Sequence, residues 1–167
     1  MERRETSKIV LTLLAIGIVF LPSCRRVENV VYADFEDFGS MGWDPARLLP
    51  FVPWPMDSIV TPEDRFELVL TVRYSPSIQA SIIPLVITEE NADSVFATTR
   101  VNLKIRDENG ELKGRKGISL YEYSDTIRSS FSIPDGYQVE LQSLAAMEDS
   151  YGLRSIGFTL IKSESTR

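Results

Sequence analysis

The sequence predicts an all-β protein: an antiparallel β-sandwich of the jelly-roll kind, with about eight strands, after an N-terminal lipoprotein signal peptide. Beyond residue 24, apolar residues recur at every second position instead of at helical spacing. Clusters of glycine, proline, asparagine and aspartate separate these runs, as turns do in all-β proteins. Each run is apolar on one side only, which predicts two sheets that cover each other's apolar faces.

The alternating pattern is clearest from Phe66 to Tyr74, where every second residue is apolar and polar residues such as Glu67 and Arg73 lie between them. A single helical turn is predicted over Ala145–Ser150. The predicted strands are Val31–Glu36, Phe66–Tyr74, Ser81–Thr88, Thr98–Arg106, Leu112–Tyr121, Ile127–Ile133, Tyr137–Ser143 and Arg154–Ile161.

Short turn motifs separate several of these strands. The run from Asp107 to Gly110 contains an Asn-Gly pair, the strongest short hairpin motif. Pro134-Asp135-Gly136 is a turn of the same kind, because proline presets φ and glycine accepts a left-handed conformation. Pro84 cannot donate to a strand ladder, so its strand is predicted at a sheet edge or at a bulge. Gly114 and Gly117 predict another bulge or a wide bend.

The N-terminus has the composition of an export signal. Arg3, Arg4 and Lys8 precede an uncharged, apolar run from Ile9 to Leu21. That run would span about 20 Å as a helix, which is too short for a hydrocarbon core of about 30 Å. Residues 1–23 are therefore predicted to be a signal peptide. The sequence then divides into a lipidated cysteine with a short tether (24–30), the sandwich (31–162) and a flexible tail (163–167).

Cys24, the only cysteine, ends the run Leu21-Pro22-Ser23-Cys24, which resembles a bacterial lipobox. In lipoproteins with this motif the thiol carries a diacylglycerol, and the signal peptide is cleaved before the cysteine. Several acyl chains hold a protein stably on a membrane, whereas one chain is marginal. The alternative is a secreted protein whose thiol is unmodified.

Composition excludes several function classes. The chain carries a net charge of −6 and no basic stripe, which argues against a nucleic-acid partner. It has no histidine, which removes Ser-His-Asp catalysis, Cys-His catalysis and histidine-ligated metals. We therefore predict a non-enzymatic protein with no catalytic residues, metal site or cofactor. A hydrolase with two carboxylates about 5–10 Å apart in a cleft stays open as an alternative.

The segment from residue 42 to 62 is rich in proline and aromatic residues, and is predicted to be a stiff, extended crossing. One hypothesis is that its tryptophans close the core of the sandwich. The other is an exposed surface that binds a glycan or a protein. The residues of that candidate binding surface are Trp43, Phe51, Trp54 and Met56. An acidic group, Glu89, Glu90 and Asp93, is predicted to be a solvated loop.

In order and spacing, several motifs resemble the GldH family of gliding-motility lipoproteins, of which this chain would be a divergent member. The resemblance covers roughly Val27 to Lys162. The motifs are Cys24, Trp43, Arg73-Tyr74, the Asp107–Gly110 turn with Gly114 and Gly117, Gly136-Tyr137, Met147 and the run from Gly152 to Gly157.

The resemblance implies a lipid-anchored component of the cell envelope, associated with gliding and with type IX secretion. No catalytic residue is established for that family. Arg25-Arg26 follow the cysteine where surface-exported lipoproteins tend to have acidic residues, so we expect a periplasm-facing anchor in the outer membrane. We predict an assembly or interaction subunit whose partners are the membrane and other envelope proteins. The alternative is a lipid-anchored glycan-binding module that uses the Trp43–Trp54 loop.

Overall fold

The predicted fold class is confirmed by a computed structural model, which describes residues 29–53 and 60–163. Two antiparallel sheets pack face to face as a β-sandwich, and a short 3₁₀ helix covers Met147–Ser150. Within the described residues the strands are β1 (Val30–Asp37), β2 (Leu49–Phe51), β3 (Phe66–Tyr74), β4 (Ile82–Glu90), β5 (Val95–Lys104), β6 (Arg115–Lys116), β7 (Tyr121–Phe131), β8 (Gln138–Ser143) and β9 (Leu153–Lys162).

The strand order is that of a rolled-up hairpin. β4 pairs with β5, β3 with β7, β2 with β8, and β1 with β9, so the first half of the chain folds back along the second. Rolling this long ribbon adds the pairs β3–β9 and β4–β8. The result is a five-stranded sheet (β1-β9-β3-β7-β6) and a four-stranded sheet (β2-β8-β4-β5), the double-sheet arrangement of a jelly roll.

The core lies between the inner faces of the two sheets. β3 is central in its sheet, and its alternate residues from Phe66 to Tyr74 have no exposed surface, as the period-two pattern predicts. The facing strand β4 contributes Leu85 and Ile87, and β9 contributes Phe158. Because apolar burial is worth about 25 cal/mol per Å², these faces hold the two sheets together.

Two of the predicted turns are confirmed. In the Asp107–Gly110 turn, the Gly110 N–H donates to the Asp107 carbonyl at 3.1 Å, and Gly110 has a φ of +82°. In the second turn, the Tyr137 N–H donates to the Pro134 carbonyl at 3.2 Å. This second turn carries the chain from the five-stranded sheet to the four-stranded sheet, so it does not join the hairpin that the sequence predicted. The prediction is right for the turn and wrong for the pairing of the strands beside it.

The prediction of a strand over Leu112–Tyr121 is wrong. Leu112 forms an isolated bridge with Arg106, and only the two residues of β6 pair as a strand, with Tyr121 and Glu122 at the start of β7. Gly114 takes a φ of +90°, which breaks an extended run. The segment from 105 to 120 is a connection between the sheets, and its polar alternation reflects a path along the surface.

Pro84 does not lie in an edge strand, because β4 has β8 on one side and β5 on the other. The Pro84 carbonyl accepts the Leu144 N–H at 2.9 Å, one residue beyond the end of β8. The backbone N and C=O of a strand residue point to the same side, so the N–H that proline lacks would also face the end of β8. Only the last hydrogen bond of the β4–β8 ladder is lost, which is why an interior strand accepts this proline.

Trp43 closes the core at one end of the sandwich. It is fully buried, its ring stacks on Phe38 at a centroid distance of 5.5 Å, and its indole N–H donates to the Arg47 carbonyl at 2.9 Å. The Ser150 hydroxyl oxygen accepts the Trp43 backbone N–H at 3.0 Å. The long connection after β1 is therefore fixed to the 3₁₀ helix.

We expect Trp43→Ala to lower the free energy of unfolding by about 3–5 kcal/mol, because the substitution leaves a large cavity and an unpaired Arg47 carbonyl. Urea unfolding of the full chain, followed by far-UV circular dichroism, measures the change. The control is Tyr151→Ala at a half-exposed ring, where we expect a change within about 0.5 kcal/mol. A loss of less than about 1 kcal/mol for Trp43→Ala would contradict this role.

Candidate functional site

The predicted aromatic binding surface is corrected for two of its four residues. Trp43 is fully buried, and Phe51 is 2% exposed and packs edge-to-face against Phe158 at 5.4 Å. Both rings belong to the core, so neither is available to a glycan or a protein partner. The other two, Trp54 and Met56, lie outside the described residues, as does the predicted lipidation site Cys24.

The sandwich has two different ends, and the chain enters at one of them. The carbonyl of Asn29, just before β1, accepts the Lys162 N–H at 2.7 Å at the end of β9. We call this the entry end. The eight residues of β1 then run to Asp37, which pairs with Ser155, over a length of about 26 Å. We call the opposite end, where Asp37, Tyr74 and the 105–120 connection lie, the far end.

The far end carries a cluster of basic residues and two surface pockets. One pocket, of about 400 Å³, lies where the 105–120 connection leaves the four-stranded sheet, and the other, of about 450 Å³, lies beside β6. Acidic side chains line each pocket as well, so the clefts are mixed in charge at their walls. The basic side chains that line them are Lys104, Arg106 and Lys113 in the first, and Arg73, Arg115 and Lys116 in the second.

Glu122 organises the wall of the second pocket. It accepts the Arg73 Nε–H and an Arg115 Nη2–H, each at 2.9 Å. The hydrogen bond from Arg73 is the main reason why the pKa of Glu122 lies below its usual value, and Arg115 adds to the effect. The Arg73 guanidinium also lies 4.3 Å from the centre of the Phe35 ring on β1, across the intervening strand β9. Arg73 is thus held in one orientation, whereas Arg115 is largely exposed.

Gly157 makes the stacking of Phe35 on Arg73 possible. It lies between them across the sheet, where a Cβ atom would stand 2.8 Å from the Phe35 Cα. Because glycine leaves that space empty, the Phe35 ring can lie over the sheet and reach the arginine. The outer face of the five-stranded sheet is therefore ordered up to the second pocket.

Lys113, which lines the first pocket, is held by two tyrosines. The Lys113 ammonium lies 4.4 Å from the centre of the Tyr123 ring and donates to its hydroxyl at 3.0 Å. The Tyr74 hydroxyl donates to the Lys113 carbonyl at 2.5 Å. Burial raises the pKa of Tyr74 to about 12, so this donor keeps its proton at neutral pH. The 105–120 connection is in this way anchored to the core strand β3.

Ile118 is the exposed tip of that connection. Its side chain is fully exposed, although it is a large apolar residue. A short turn presents it, in which the Gly117 N–H donates to the Leu120 carbonyl at 2.8 Å. Arg115 and Lys116 precede it and are also exposed. The tip therefore presents one apolar side chain next to two cations.

A second polar cluster ties the two sheets together near the entry end. Glu89 is 3% exposed and accepts an Arg128 Nη1–H at 2.9 Å and the Tyr137 hydroxyl at 2.8 Å. Burial, and then the charge of Glu89, raise the pKa of Tyr137. The predicted solvated loop of acidic residues is therefore wrong for Glu89 and Glu90, which both lie in β4. Glu89 is a buried, fully paired group, so its role is to join the sheets.

Across residues 29–53 and 60–163, no group of three or more Cys, Asp or Glu side chains is placed to hold a metal ion. Over the same ranges, no helix has the length and apolarity needed to cross a membrane.

Comparisons with known proteins add no family. No family model matches the chain, and no curated protein matches it. Among solved structures, the chain is similar to Eiger TNF from S. frugiperda at 11% identity, covering 83% of this chain and 96% of that one, with a TM-score of 0.33. It is also similar to the Tobacco streak virus coat protein dimer at 10% identity, covering 84% and 90%, with a TM-score of 0.33.

The sequence analysis missed the basic far end, although its charge pattern is visible in the sequence. Six of the 18 lysines and arginines lie between Arg100 and Lys116, in a chain with a net negative charge. Three acidic residues within the same stretch offset half of this positive charge, so the stretch does not stand out as a basic run. That the stretch joins Arg73 at one end of the sandwich depends on the sheet register, which a sequence pattern does not supply.

We expect Glu122→Gln to lower the free energy of unfolding by about 1 kcal/mol near pH 6, since two arginines lose a charged partner. The pKa of Glu122 is lowered in the folded state, so its contribution is present above the ordinary value of 4.5 and is lost as the pH falls through the folded-state value. The difference between native protein and variant should therefore shrink as the pH falls below 4.5.

Urea unfolding at a series of pH values measures this difference. The matched control is Glu63→Gln at an exposed carboxylate outside the described ion pairs, which should change stability little at any pH. A difference for Glu122→Gln that is constant from about pH 6 to about pH 3 would contradict the assignment.

Proposed function

We propose that this chain is a non-enzymatic, lipid-anchored interaction subunit of the cell envelope, and that it contacts its partner through the far end of the sandwich. In this it would act as the GldH-type lipoproteins it resembles do, in association with gliding motility or type IX secretion machinery. Cys24 is the anchor, and the outer membrane is its proposed location, with the sandwich facing the periplasm.

The separation of the two ends is the observation that carries the proposal. Five residue steps lead from Cys24 to Asn29, and extended chain spans at most about 3.6 Å per residue, so the entry end stays within about 18 Å of the anchor. β1 then leads away from Asn29 for about 26 Å. A protein tethered at Cys24 can therefore hold its basic far end away from the bilayer, where a second envelope protein can reach it.

The side chains of the far end indicate what kind of surface the partner would present. Arg115 and Lys116 favour an acidic surface and speed encounter with it, because opposite charges steer association. The exposed Ile118 between them and β7 would fill an apolar recess, where burial is worth about 1.5–3 kcal/mol. Anchoring both proteins in one envelope raises their effective concentration, so a modest affinity is sufficient. Burial of Trp43 and Phe51 removes two of the four residues on which the glycan-binding alternative rests.

The anchor is tested with Cys24→Ser in the native host. We expect the native protein to remain in the membrane fraction after washing with high salt, and the variant to be released into the soluble fraction, because it lacks acyl chains. Metabolic labelling with a fatty acid should mark the native protein alone. Membrane retention of the variant after high-salt washing would overturn the lipid anchor.

The far end is tested by placing a photo-crosslinking residue at position 118 and, as control, at position 52, where another exposed apolar side chain lies near the entry end. We expect a cross-linked envelope protein at 118 but not at 52. With that protein purified, the double variant Lys116→Glu, Ile118→Asp should bind at least about tenfold more weakly, while Val52→Asp binds as the native chain does. Equal binding by both variants would refute the proposed contact surface.

A further inference from the structure

The outer edge of the four-stranded sheet is open along a whole strand. β5 is the last strand of that sheet, pairs with β4 alone, and is ten residues long. Val95 and Phe96 are 54% and 40% exposed, and most of the strand's other side chains are exposed as well. Proteins usually shorten, bulge or cover an edge of this length, because an unpaired edge is a template for another strand.

The hydrogen-bond register shows which backbone groups of β5 point outward. The Ile105 N–H donates to the Ser81 carbonyl at 3.0 Å, so odd-numbered residues here face β4. Antiparallel pairing alternates, and the register keeps this alternation through the pairs Leu103–Ile83 and Val101–Leu85. The N–H and C=O groups that point away from β4 belong to Thr98, Arg100, Asn102 and Lys104. In the described part of the chain no backbone group pairs with them.

The neighbouring edge of the other sheet leaves room for an added strand. β6 pairs with only Tyr121 and Glu122, so the rest of β7 has no strand beyond it among the described residues. The gap between β5 and β7 is bounded at one end by the 105–120 connection. At its other end, Arg128 reaches from β7 to Glu89 and to the Phe96 ring. Between these ends, Thr99 and Val101 on the inner face of β5 remain partly exposed.

The charge of β5 selects the chemistry of its occupant. The strand contains Arg100 and Lys104 and no acidic residue. Both side chains lie on the outer face, four residues apart, with Asn102 between them. In an antiparallel pair with β5 of a second copy, two like charges from each strand would lie close together, which is unfavourable. An acidic strand would place opposite charges there.

We propose that β5 binds an extended acidic segment of a partner protein as a fifth strand of the sheet. The segment would carry acidic residues four positions apart on its outer face, opposite Arg100 and Lys104. Its other face would carry small or apolar residues that extend the core over Thr99 and Val101. Main-chain hydrogen bonds supply the affinity of such strand addition, and the alternate side chains supply its specificity. β5 shares Lys104 with the basic far end but does not include Ile118, and a strand-adding partner goes beyond the proposed function.

The probe is a fluorescent ten-residue peptide with two aspartates four positions apart and valines on the opposite face, titrated against the full chain in detergent. Amide hydrogen exchange of the complex should slow at Thr98, Arg100, Asn102 and Lys104, and change little at Thr99 and Val101, whose N–H groups already face β4. A peptide N-methylated at every second residue loses its pairing donors and should not bind.

Two variants of β5 and one control complete the test. Arg100→Glu, Lys104→Glu should weaken peptide binding at least about tenfold, and so should Asn102→Pro, which removes one outward donor at an edge position. Lys116→Glu should leave the affinity within about twofold. If Asn102→Pro does not fold, the N-methylated peptide tests in its place whether backbone N–H donors are needed for binding.

Three results would overturn the proposal. The first is binding of the N-methylated peptide as tightly as the parent, which would mean charge attraction without strand pairing. The second is equal weakening by Lys116→Glu. The third is a dimer of the full chain that the Arg100→Glu, Lys104→Glu variant abolishes, which would make a second copy the occupant. None of these results bears on Ile118, and loss of cross-linking at position 118 would leave the β5 proposal intact.

Discussion

Burial of one apolar face from each sheet is the interaction on which the rest of this structure depends. β3 places five side chains, from Phe66 to Tyr74, in the core with no exposed surface, and β4 faces it with Leu85 and Ile87. Rolling a long hairpin is what brings these faces together, since each strand of the first half pairs with one of the second. Contacts distant in sequence therefore close the core, and all other features are arranged around it.

The same constraint determines where function can lie. The inner faces are filled, so a partner can be reached only from the ends, the outer faces and the open edge strands. At the far end, Tyr74 reaches out of the core to hold the Lys113 carbonyl, which gives the basic connection a rigid base. At the outer edge of the four-stranded sheet, β5 presents backbone N–H and C=O groups with no partner strand among the described residues. The far end and the edge of β5 are therefore two different surfaces that suit contact with other chains.

The strands with one buried face were predictable, because a period of two needs only the residues themselves. Phe66–Tyr74 has the same bounds in the structure as in the prediction. Segments whose neighbours decide their state were not predictable. β7 begins at Tyr121, in a polar stretch, since pairing with β3 overrides its weak pattern, and bulges interrupt it. Glu89 has the charge of a surface residue, yet Arg128 and Tyr137 satisfy it in the interior.

By itself the sequence determined the fold class, the turns at Gly110 and Gly136 and the central strand, because each follows from local geometry or from apolar spacing. It left the burial of Trp43 open, and the structure decided it. Only the tertiary structure decided which strands are edges. It also decided that Pro84 lies at the end of a ladder and that Arg73 meets Arg115 through Glu122. Such facts depend on strand order and register, which join residues far apart in the chain and leave no periodic trace in it.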